Sequence, residues 1–125
     1  MKKFLLLIFI TILYSEEFIT NLEYGEMLYK NPRGIGCIKC HKKNAKGGII
    51  ATIYDNQIGK KKLIIAPNIQ KIEWEDFYNR IKKSEKGGKK IRLSFMPEYN
   101  YLLDEEIKAI FNYIKIRWDR NRELE

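Results

Sequence analysis

Cys37-Ile38-Lys39-Cys40-His41 constrains this chain more than any other stretch. The 125 residues contain two cysteines and one histidine, and all three fall within these five positions. A disulfide-built scaffold needs more cysteine. A zinc cluster needs about four ligands, and the chain offers only three of the thiol or imidazole kind. A hydrolase triad would have to use the same single histidine. The remaining composition permits one packed domain: 45% of residues are hydrophobic, which argues against disorder.

C-x-x-C-H is the attachment pattern of a c-type haem. Two thiols three residues apart can form thioethers with the two vinyl groups of one porphyrin. The histidine that follows is then held beneath the iron as an axial ligand. The competing readings are weaker. A thioredoxin-like C-x-x-C expects a βαβ setting, which the pattern here does not predict. Zinc lacks its fourth conventional ligand. A plain disulfide remains open in an oxidising compartment.

With no second histidine, the other axial position falls to methionine, lysine or water. Met27 lies in a predicted helix and is expected to pack. Met96 follows Gly87-Gly88 in a loop and precedes Pro97, which stiffens the approach. Met96 is therefore the candidate sixth ligand, and thioether ligation raises a haem's reduction potential.

The N-terminus sets the compartment. Met1-Lys2-Lys3 is a short positive stretch, and residues 4–14 are apolar except for Thr11. A bilayer-spanning helix needs about 20 apolar residues, so residues 1–15 read as an export signal rather than an anchor. Residues 16–125 then form a single exported domain, most simply periplasmic. Loss of Lys2 and Lys3 takes the formal charge from +8 to +6.

Periodicity predicts a helix over residues 18–29, a second over 71–84 with Trp74, Phe77, Tyr78 and Ile81 on one face, and a third over 103–118. In the last, Ile107, Ile110, Phe111, Ile114 and Trp118 make an apolar stripe, and Asp104 is the expected cap. Residues 34–48 read as loop, and 49–63 as loop or a short irregular element.

These residues resemble small monohaem class I c-type cytochromes over almost the whole exported part. The likeness runs through Gly25 and Tyr29, Cys37 to His41, Ala66-Pro67-Asn68-Ile69, Met96-Pro97-Glu98-Tyr99, and Leu102 to Ile107 with Ile110 and Tyr113. The resemblance implies an all-α cytochrome c fold, with three to four helices around one covalent haem c. It implies that the terminal helices cross where Gly25 and Tyr29 meet Ile110 and Tyr113. It also implies that the Pro67 carbonyl accepts the His41 ring N–H, with Trp74 and Tyr99 as candidate pocket residues. Residues 42–66 form a longer connection than in the most compact members.

The expected function is an electron carrier, not an enzyme. A docked haem subunit of an oxidase, peroxidase or sulfur-oxidising complex is the alternative. Residues 39–62 hold seven lysines against Asp55 alone, and residues 80–92 hold seven Lys+Arg against Glu85 alone. Such segments would steer the protein toward redox partners with acidic docking patches. Nucleic acid is not expected for an exported chain, nor stable membrane insertion, and a monomer is expected.

Overall fold

The computed structural model describes residues 19–82 and 95–122, with backbone only from 118. The export signal at 1–15 and most of the second basic segment lie outside the described residues.

Helix α1 spans Asn21–Lys30. Thr20 and Glu23 start it with a reciprocal cap: Thr20 Oγ1 accepts from the Glu23 N–H at 3.2 Å, and Glu23 Oε2 accepts from the Thr20 N–H at 2.9 Å. It ends before Pro32, which disfavours helical backbone at Asn31. Gly25, Leu28 and Tyr29 are its buried residues. Met27 does not pack: it is 54% exposed, because its place on the helix faces away from that buried side.

The last helix, Asp104–Arg122, crosses α1 as expected. A Cβ at Gly25 would overlap the Ala109 carbonyl, so only glycine allows this approach. Tyr29 and Tyr113 pack with ring centroids 5.5 Å apart, and Ile107, Ala109 and Ile110 are wholly buried in the same core. Each such large aliphatic contributes roughly 2 kcal/mol by leaving water. Asp104 is the first helical residue rather than the cap. The backbone N–H of Leu103 is satisfied instead by Glu106 Oε2 at 2.9 Å, and Asp104 accepts from Tyr78 Oη at 3.2 Å.

Between these helices lie four further elements and a correction to the all-α expectation. Helix α2 is a single turn, Cys37–His41, where loop was expected. Strands β1, Gly48–Asp55, and β2, Lys60–Ala66, then form an antiparallel hairpin paired from Gly48↔Ala66 to Asp55↔Lys60. β-Branched and aromatic residues dominate β1 (Ile49, Ile50, Thr52, Ile53, Tyr54), and β2 contributes Ile64 and Ile65, which suits extended backbone. The turn has its own chemistry. Asp55 Oδ1 accepts from the Gln57 N–H at 2.9 Å, Gly59 N–H donates to Asp55 O at 2.8 Å, and Gly59 sits at φ +65°. Helix α3, Trp74–Lys82, buries Phe77 and Ile81, and Asp104–Arg122 is α4. The described chain thus has four helices and a two-stranded sheet.

Candidate haem-binding site

The α2 turn places Cys37, Cys40 and His41 on one helical face, since residues three and four apart are neighbours there. The backbone around it is unusual. Arg33 before the turn and Lys42 and Ala45 after it are non-glycine residues in the left-handed region, at φ +63°, +65° and +59°. Such conformations persist only where surroundings hold them. Here Tyr29 Oη donates to Lys42 O at 2.6 Å, Gly47 N–H to His41 O at 2.9 Å, and Ile69 N–H to Ala45 O at 3.0 Å.

His41 is buried, and its Nδ1 lies 3.0 Å from Pro67 O. A carbonyl can only accept, so Nδ1 carries the proton and donates. Nε2 is then the lone-pair nitrogen. Burial pushes the imidazole below its ordinary value, and the Pro67 bond pulls part of the way back. The neutral ring is the form that ligates a metal.

Both thiols are free and half-buried. Burial raises Cys37 to about 11. That is the opposite of the low-pKa thiol of a dithiol exchanger. Tyr99 is buried, and its phenol is pushed up by burial first and then by Cys37 beside it. It therefore belongs with the thiols in space, and it donates to Ile35 O.

Met96 is half-buried and packs against the core. Next to it, Phe95 is 55% exposed, and Ile35, two residues before Cys37, is 57% exposed. These are apolar side chains that a flat apolar ring could cover. Trp74 contacts a different group: its rings are 5.4 Å from Tyr78 and 5.3 Å from Phe111. Its closest ring partners are thus on α3 and α4, not the cysteine turn. A shallow cavity of about 400 Å³ lined by Ile19, Glu23, Glu26, Met27 and Lys30 includes none of these residues.

The donor set fits a covalent haem. It offers two thiols at thioether spacing, an imidazole with one nitrogen tied and one open, and a thioether half-buried in the same core. Among the described residues no group of three or more His, Cys, Asp and Glu is arranged to hold a bare metal ion. A haem bound there would supply reversible one-electron chemistry at iron. The chain's own residues attach it, orient the imidazole and limit water.

Arg33, Tyr101, Tyr24 and Glu106 form a polar cluster beside this site that the sequence reading missed. Arg33 Nη1 and Nη2 donate to Glu106 Oε1 and Oε2 at 2.6 and 2.9 Å, and Tyr24 Oη donates to Oε1 at 3.0 Å. The available signal was slight: a Glu in the first turn of a strong helix, with no obvious partner.

A family model described as Cytochrome c matches residues 22–118, more than three quarters of the chain. The chain belongs to the cytochrome c family. That family binds haem c covalently and carries electrons, and its fold here includes a two-stranded hairpin between α2 and α3. No curated protein and no solved structure gave a match. No helix among the described residues is long and apolar enough to cross a membrane.

Proposed function

We propose that this is a periplasmic monohaem cytochrome c that passes single electrons between respiratory partners. Cys37 and Cys40 carry the thioethers, and His41 and Met96 are the axial ligands. The observation that carries this reading is the His41 Nδ1–Pro67 O bond at 3.0 Å, which leaves Nε2 for iron on the same turn as both thiols. With both axial ligands retained, little reorganises between the two iron states. No nucleophile or general base is required. All seven lysines of residues 39–62 are exposed, which supports docking to acidic patches on partner proteins.

Expression alongside a c-type maturation system tests the reading. Haem should stay with the polypeptide on a denaturing gel, and Cys37→Ala with Cys40→Ala should abolish this. A colourless protein with a titratable dithiol would contradict it.

One observation favours a docked subunit over a free shuttle. The outer face of the hairpin carries Ile49, Tyr54, Leu63 and Ile65 at 56, 61, 48 and 60% exposure, which is a large apolar area for a free surface. A free shuttle runs as a monomer on size exclusion and reacts more slowly as salt rises. A subunit co-purifies with its enzyme.

A further inference from the structure

The segment just before Cys37 and the segment just after Met96 are bonded to each other. Tyr99, three residues past Met96, donates its O–H to Ile35 O at 2.5 Å, two residues before Cys37. Tyr101 donates to Pro32 O at 2.8 Å, and the Arg33 guanidinium lies 5.7 Å above the Tyr101 ring centroid. Arg33 then grips both oxygens of Glu106, whose side chain is only 6% exposed. Glu106 also takes the Leu103 N–H at 2.9 Å and the Tyr24 O–H at 3.0 Å. Every lone-pair direction of that carboxylate is engaged, and the pair is bidentate.

The placement matters more than the number of bonds. Residues 32–35 lead directly into the cysteine turn, so they move with the haem's attachment and with His41. Residues 99–106 lead back to Met96. Tyr99 and Tyr101, three and five residues past Met96, bond its segment to that side of the fold. Arg33 is held in a left-handed conformation that a non-glycine residue adopts only under constraint. The bidentate pair and the Tyr101 ring supply that constraint.

We infer that Tyr99 and the Arg33–Glu106 pair act as positioning residues that keep the Met96 thioether on the haem iron, without touching the iron themselves. The inference rests on the proposed His41/Met96 ligation. An electron carrier gains from such a clamp because a ligand that stays bound in both iron states leaves little to rearrange. The contacts that hold it belong to the polypeptide, and their loss should free Met96 before the helices melt.

The test uses the haem-loaded protein, with Tyr99→Phe, Glu106→Gln and Arg33→Lys beside the wild type. Three readouts are taken: the Met96-dependent long-wavelength band of the ferric protein, carbon monoxide uptake by the ferrous protein, and helical circular dichroism along a urea titration. The expected result is that Tyr99→Phe takes up carbon monoxide roughly fivefold more readily, as expected for one lost hydrogen bond, and Glu106→Gln, which loses the charge-assisted pair with Arg33, more readily still. Their band should also disappear at lower urea than the helical signal. Arg33→Lys, which keeps the charge and loses the fork, should fall between. Tyr99→Phe removes one hydroxyl and keeps the ring, so it decides the matter if Glu106→Gln fails to fold. Band and helical signal moving together in both variants, with carbon monoxide uptake unchanged, would make the cluster purely structural and overturn the inference. A wild type that lacks the band and binds carbon monoxide freely would overturn the ligation itself, a separate and recognisable failure.

Discussion

Pro67 O accepts the His41 Nδ1–H at 3.0 Å across 26 positions of sequence. The hairpin makes this reach possible. Gly48 pairs with Ala66 at its base, and Gly47 N–H returns to His41 O at 2.9 Å. The long connection is therefore tied off where it leaves the site. Replacing Pro67 by Ala keeps the carbonyl. The haem spectrum should be unchanged, while urea unfolding should show a loss of about 0.5–1 kcal/mol from the freer unfolded chain.

The same closure predicts that the outer hairpin is dispensable for the site. Replacing residues 53–62 by Asn-Gly joins Thr52 to Leu63, which are already paired, through a two-residue turn. Haem attachment and spectrum should match the wild type, with stability changed by less than about 1 kcal/mol. Loss of covalent haem in this variant would show that the hairpin shapes the site.

The helix crossing should be intolerant. Gly25→Ala would drive a methyl into the Ala109 carbonyl and toward the Tyr113 Cβ. Backbone cannot move aside as a side-chain tip can, so a cost of about 3 kcal/mol is expected in urea unfolding. A loss under about 0.5 kcal/mol would mean that the helices do not meet there.

Much of this arrangement was legible in the sequence. Trp74, Phe77, Tyr78 and Ile81 repeat at helical spacing, and α3 forms there. The Gly25/Tyr29 pattern marked where α1 meets α4, with Tyr113 against Tyr29 and Ile110 in the same core. The hairpin was hidden for a physical reason. Its outward positions Ile49, Tyr54, Leu63 and Ile65 are as apolar as its inward Ile64, so the alternation that marks a half-buried strand is absent. Lys60-Lys61-Lys62 then read as loop, although Asp55 to Gly59 is a good turn. A five-residue helix at Cys37–His41 is too short to leave a period. Arg33 and Glu106 lie 73 positions apart, and only the folded chain brings them together.

Glu106 should leave a mark on acid stability. Its carboxyl is held at about 2, against an ordinary 4.5, first by the Arg33 hydrogen bonds. A depressed carboxylate stabilises the fold above its unfolded value, and that contribution is lost as pH falls from 4.5 toward 2. Glu106→Gln should cost about 2 kcal/mol at neutral pH. It should also flatten the decline of unfolding free energy across that acid window. An equally steep decline in the variant would assign the acid sensitivity to other carboxylates.

The absorption spectrum of the haem-loaded protein, ferric and ferrous, with Met96→Ala beside it, tests the central claim most directly. His41/Met96 ligation predicts sharp reduced bands from haem that resists extraction. It also predicts a weak ferric band toward the red that vanishes in Met96→Ala, and only slow, weak carbon monoxide uptake by the wild type. A spectrum unaffected by Met96→Ala, or a wild type that takes up carbon monoxide at once, would contradict it.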